Sequence, residues 1–117
     1  MRNYLSIDQG TTSSRAIIFN SNLESVVDSQ IEYDLFYPDD GWVELDPADV
    51  VKSVEKTVSN VLKTESNISA CGITNQRETT IVWSKKTGKP IYPGIVWQDR
   101  RTHQACDKLK LEGYEEL

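Results

Sequence analysis

An α/β domain built on a mixed sheet is the fold that the sequence predicts, and three observations predict it. Two short polar turns separate three strand-like segments within the first 33 residues, which is the pattern of an antiparallel meander. A helix start signal and a valine stripe follow over residues 47–63. A short apolar segment then returns at 68–74, and a strand–helix–strand crossover places the new strand parallel to a neighbour. The composition agrees with a globular chain: of 117 residues, 38% are hydrophobic and 26% charged.

The elements follow in order. Residues 4–7 form a short apolar strand ending at Asp8, and residues 8–14 are small and polar, a tight turn with Gly10 inside it. Residues 15–19 resume as a buried strand, Asn20-Ser21-Asn22 turns, and residues 26–33 give the third strand. Residues 34–46 form a loop with Pro38, Gly41 and Trp42. Asp46 can cap the next helix, Pro47 suits its first position, and Asp49 stands at the third. Val50, Val54, Val58, Val61 and Leu62 then recur at helical spacing and face a core. Residues 79–83 read as a further strand, 85–89 as a hairpin turn, 90–92 as its return, and 95–97 as one more short strand. A final helix spans about 99–112, with Ala105, Cys106 and Leu109 inward and Gly113 as its stop. Three antiparallel strands, a helix and a parallel strand indicate the ribonuclease H-like kind of α/β domain. The last residues close no element, and the three Trp and several apolar strands ask for more cover than two helices provide. The expectation is therefore an N-terminal part of a longer protein.

Charge and cysteine content narrow the function classes. With 13 Lys+Arg against 18 Asp+Glu the net charge is −5, and the scattered basic residues are a poor match for nucleic acid or an anionic membrane surface. No apolar run approaches the roughly 20 residues of a membrane span, and residues 1–7 do not read as a signal peptide. Cys71 and Cys106 share no metal-binding spacing, and His103 is the only histidine, so a zinc centre and a histidine-based triad are both poor readings. A reducing cytoplasm is the simplest compartment.

Three segments can carry chemistry. In Asp8-Gln9-Gly10-Thr11-Thr12-Ser13-Ser14-Arg15, a carboxylate at a strand end can hold a divalent cation, a glycine admits close approach of an anion, and hydroxyls, backbone N–H groups and a guanidinium can surround phosphate oxygens. The spacing is not that of a Walker loop, and a simple polar hairpin turn also accounts for these residue types. In Asn75-Gln76-Arg77-Glu78-Thr79, at a strand's carboxyl end, Arg77 and Glu78 can donate to and accept from ligand hydroxyls, or form a solvated local ion pair. In the segment 95–102, Trp97 can wall a polyol's carbon skeleton, or it can be a core residue with Asp99 capping the following helix. The other features read as structural: Trp42 anchors its loop, Trp83 packs in the hairpin, Cys71 is a small core residue, and His103, Lys85, Lys86 and Lys89 are solvated.

Taken together, the ordered blocks DQGTTSSR, DDGWVELDP, GITNQRETTIVW and KTGKPIYPGIVWQDRRT resemble the N-terminal region of the glycerol kinases, within the FGGY family of carbohydrate kinases. The resemblance runs from Leu5 to Gly113 and is closest over 72–102. It implies an actin-like ATPase fold and makes residues 1–117 the N-terminal part of the first kinase domain, with the remainder and the second domain absent. It further implies ATP-dependent phosphorylation of glycerol to sn-glycerol 3-phosphate. On that resemblance Thr11, Thr12 and Ser13 contact the phosphates of ATP and Arg15 those of ADP. Asp8 lies near Mg2+, Arg77 and Glu78 bind the hydroxyls of glycerol, and Trp97 lies against its carbon backbone. Sugar kinases of the family differ over 76–79, which is the reason for choosing glycerol. The catalytic aspartate, a glycerol-contacting tyrosine and the adenine pocket lie beyond Leu117, so the 117 residues alone are expected to be inactive. The resemblance also implies a homo-oligomer at full length. Two alternatives stay open: another sugar or polyol kinase of the family, and a non-catalytic actin-like nucleotide-binding domain.

Overall fold

The computed structural model describes residues 2–116. Its main sheet holds β1 (Asn3–Gln9), β2 (Ser13–Phe19), β3 (Ser25–Glu32) and β6 (Ile68–Asn75) in the order β3-β2-β1-β6. The first three strands are the predicted meander, with Asp8 opposite Arg15 and Gln9 opposite Ser14. Those pairs extend the ladder further than the sequence suggests. The turn is therefore only residues 10–12, and Asp8, Ser13 and Ser14 are strand residues. β6 lies parallel to β1, as the crossover requires, with Ile7 opposite Ile73 and Asp8 opposite Thr74.

The crossover helix α1 (Pro47–Leu62) starts where its signals predict. Asp46 accepts the Ala48 N–H at 2.8 Å and Pro47 occupies the first turn. Such a cap contributes about 1 kcal/mol. The helix lies over β1, β2 and β3, and the core between them is Leu5, Ile7, Ala16, Ile18 and Val61. Val54, Val58 and Leu62 pack at its margin. Two polar residues on the same helix face are buried without loss. The Ser53 hydroxyl donates to Val50 O and meets Ser14 Oγ at 2.7 Å, and the Thr57 hydroxyl donates to Val54 O.

A second, smaller sheet orders β4 (Leu35–Phe36), β5 (Glu44–Leu45) and β7 (Gly94–Ile95) antiparallel around Val43, Leu45 and Val96. Gly94 fits closely there: a Cβ would sit 2.6 Å from Leu45 Cδ1 and force that side chain to shift.

Four expectations are corrected. Residues 79–83 form no strand: only the single bridges Thr80 to Ile95 and Trp83 to Pro90 are made. Pro90 and Pro93 lack N–H groups, which stops a continuous ladder on the return side. Trp83 is accordingly 57% exposed. Cys71 is exposed, because α1 does not reach over β6 and no described element covers that strand. The last helix, α2 (His103–Leu111), begins four residues later than expected and buries none of Ala105, Cys106 or Leu109 among the described residues. Its stop is as predicted, with Gly113 at φ +89° donating to Lys110 O before a 3-10 turn at Tyr114–Glu116. His103, Lys85, Lys86 and Lys89 are exposed, and Trp42 is half-buried.

Candidate functional site

The parallel pairing of β1 with β6 brings two of the three candidate segments to one end of the sheet. Beyond the strand ends the backbone N–H of Gln76 still donates to Gln9 O at 2.7 Å. Here the hairpin turn of residues 10–12 stands beside the loop carrying Arg77 and Glu78. The third segment arrives from β7. The Trp97 indole Nε1–H donates to Thr11 Oγ1 at 2.9 Å. A cleft of about 370 Å³ opens between them, lined by Thr11, Asn75, Gln76, Arg77, Glu78 and Trp97.

The hairpin turn is held from below. The Gln9 side chain donates to Gly10 O and to the Tyr33 hydroxyl, the Tyr33 hydroxyl donates to Gly10 O, and Gln76 Nε2 lies 3.1 Å from both Gly10 O and the Tyr33 hydroxyl. Burial raises the Tyr33 phenol above its ordinary pKa, with the hydrogen bonds from Gln9 and Gln76 acting the other way. Thr12 and the Asp8 carboxylate are exposed beside this turn. Ser13 Oγ accepts from Gln30 Nε2 at 2.9 Å. Arg15 is drawn away along β2, where its guanidinium pairs with Asp28 at 3.0 Å with both side chains about half exposed.

Arg77 and Glu78 are exposed and, among the described residues, form no ion pair with each other. The backbone of Glu78 has φ +67°, a left-handed conformation that is unfavourable by about 1–2 kcal/mol for a residue with a Cβ. Trp97 is half exposed and lines the cleft.

The chain matches the N-terminal domain of the FGGY family of carbohydrate kinases over residues 3–117. It belongs to that family. A glycerol kinase from Nitrosomonas eutropha is 50% identical over 117 residues, covering 97% of this chain and 23% of that protein. The crystal structure of Plasmodium falciparum glycerol kinase with ADP superposes with a TM-score of 0.90 at 31% identity, covering 96% of this chain and 23% of that one. A xylulose kinase from Rhodospirillum rubrum shares the fold, with a TM-score of 0.89 at 24% identity over 98% of this chain and 24% of its own. The chain thus spans about a quarter of the length of these relatives.

Within this FGGY domain the sequence reading missed a node two residues beyond Trp97. Asp99 does not cap α2. Its carboxylate accepts the Val43 N–H at 2.7 Å, the Arg101 N–H at 2.9 Å and the Arg101 guanidinium through Nε and Nη2. Nη2 of Arg101 also reaches Glu44 at 3.0 Å, and the guanidinium stacks on Trp42 at 3.9 Å from the ring centroid. These hydrogen bonds hold the Asp99 carboxyl at about 2, below its ordinary 3.8, and raise Arg101 further. Two acids and an arginine spread over 44–101 leave no spacing signal, so their partnership was not readable from the chain. Glu78's left-handed backbone was equally silent, since Gly or Asn ordinarily marks such a position. Among the described residues no three His, Cys, Asp or Glu side chains are placed to hold a metal ion, and no helix is long and apolar enough to cross a membrane.

Proposed function

We propose that this FGGY domain is the N-terminal part of an enzyme that transfers the γ-phosphoryl group of ATP to glycerol, giving sn-glycerol 3-phosphate. The observation that carries the reading is the hydrogen bond from Trp97 to Thr11. It sets the hydroxyl-rich hairpin and the Arg77–Glu78 loop against one cleft, so a phosphate donor and a polyol acceptor can meet there. The choice of glycerol is supported by the 50% identity to a protein named glycerol kinase.

In this reading Thr11, Thr12 and Ser13 donate hydroxyl and backbone hydrogen bonds to phosphate oxygens. Arg15 reaches the product nucleotide by exchanging its exposed Asp28 partner, an ion pair of small net value. Arg77 donates to a polyol hydroxyl oxygen, Glu78 accepts a hydroxyl proton's hydrogen bond, and the Trp97 ring excludes water from the carbon backbone. Together they fix which hydroxyl faces the phosphorus, and positioning supplies most of the catalysis in such transfers.

Asp8 offers one exposed carboxylate, which fits Mg2+, an ion held by one or two carboxylates together with nucleotide phosphates and water. Mg2+ bound with ATP would neutralise charge on the phosphates. Residues outside this quarter of the protein supply the proton acceptor and the adenine pocket, so the 117 residues alone are inactive. Both cysteines are free thiols, in keeping with a cytoplasmic protein. The test is ADP release by the full-length protein with glycerol beside xylulose, ribulose, gluconate and erythritol. Preference for glycerol is expected. Preference for another acceptor would move the substrate, and no turnover together with no saturable glycerol binding would overturn the kinase reading.

A further inference from the structure

The loop that presents Arg77 and Glu78 is closed into an arch by a side-chain hydrogen bond at its base. The Thr79 hydroxyl donates to Gln76 Oε1 at 2.7 Å. Each foot of the arch is tied to a different wall of the cleft. Gln76 donates through Nε2 to Gly10 O and through its backbone N–H to Gln9 O, both on the hairpin side. Thr79 Oγ1 accepts the backbone N–H of Trp97 at 3.2 Å, and Trp97 returns through its indole to Thr11. The bonds form a closed ring: Gly10 and Thr11 are adjacent in the chain, and Gln76, Thr79 and Trp97 complete the circuit. Glu78 holds its φ of +67° inside the arch, where a free loop would relax it.

We propose that Gln76 and Thr79 are positioning residues whose clasp couples occupancy of the Thr11 hairpin by nucleotide phosphates to the geometry of the Arg77–Glu78–Trp97 polyol wall. The inference rests on the kinase reading of the cleft. Its chemistry lies in the Thr11 hydroxyl, which has one proton to donate and two lone pairs to accept. A phosphate oxygen takes the proton while the Trp97 indole N–H keeps a lone pair. Donation to an anion polarises the hydroxyl and strengthens the bond it accepts. Trp97 is thereby fixed, and through its backbone N–H so is Thr79 and the arch. By reciprocity the polyol tightens nucleotide binding by the same factor.

The test is calorimetric titration of the full-length protein with glycerol, with and without a saturating non-hydrolysable ATP analogue. Wild type is expected to bind glycerol at least about fivefold more tightly with the analogue present, the lower end of ordinary couplings. Thr79→Val should bring that ratio to within about twofold of unity, and Thr79→Ser, which keeps the hydroxyl, should restore it. Gln76→Leu removes the other half of the clasp without touching the polyol wall and should also abolish the coupling, which keeps the idea testable if Thr79→Val fails to fold. Unchanged coupling in Thr79→Val or Gln76→Leu, or a wild type that binds both ligands independently, would overturn the inference and leave the kinase reading standing. A wild type that binds neither ligand would overturn both.

Discussion

Replacing Arg101 with Met should unfasten the segment behind the cleft. The Arg101 side chain is 12% exposed, and it is shared between the Asp99 and Glu44 carboxylates, themselves 3% and 11% exposed. Met keeps much of the stem's volume but removes the charge, so two screened carboxylates lose their partner. Breaking a buried pair in this way costs about 3–5 kcal/mol. The lower end applies here, because Asp99 retains the N–H groups of Val43 and residue 101. Loss of the stack on Trp42 adds about 0.5–1 kcal/mol. The assay is native-state hydrogen exchange of the full-length protein, read at the Val43 amide, since that proton is bound to Asp99. At about 1.4 kcal/mol per decade, protection of Val43 should fall by roughly 100-fold to 1,000-fold. A fall of less than tenfold would refute the view that Arg101 holds Asp99 against the Val43 segment.

Four further outcomes are expected. Arg77→Ala in the full-length enzyme should raise the glycerol KM by roughly 10-fold to 150-fold, the effect of losing a charged hydrogen bond, while the ATP KM stays nearly constant in steady-state assays. Asp8→Asn should lower kcat and raise the Mg2+ concentration needed for half-maximal rate; wild-type turnover at low Mg2+ would contradict it. Gly94→Ala should lower the melting temperature through overpacking of about 1–3 kcal/mol, because its Cβ would meet the Leu45 side chain at 2.6 Å and force that buried residue to shift. Asp99 lies below its ordinary 3.8 in the folded protein, so its stabilisation is complete above that value and is lost as pH falls toward about 2. Acid urea titrations should show about 1–2 kcal/mol, allowing for solvent screening, that Asp99→Asn abolishes.

The sheet and its covering helix were legible because their signals are local. The apolar run in residues 15–19, the Asp46-Pro47 start and the valine stripe each act within a few residues, and each element formed as its signals required. The cleft was legible as three segments but not as a ring, since the bonds joining Gln76, Thr79, Trp97 and Thr11 depend on where β7 and the β1–β2 hairpin come to rest. Where apolar character misled, burial was the missing quantity. Cys71 and Leu109 have the residue types of a core, but whether they are covered depends on neighbours that local pattern does not name. Residues 79–83 carried strong strand propensity that the prolines of the partner segment overrode.

The parallel seating of β6 against β1 also sets an order in time. The contacts that build the β1–β2 hairpin turn are near in sequence: Gln9 reaches Tyr33 across only 24 residues. The hydrogen bond from Gln76, one half of the clasp, to Gln9 spans 67 residues and must wait for α1 to bring β6 home. Closing the longer loop is entropically harder, and nonlocal pairings of this kind form slowly. The turn of residues 10–12 is thus native before the arch of residues 76–79 exists, and the two are stitched together late. Substitutions at the clasp will therefore hasten unfolding and leave the folding rate nearly untouched.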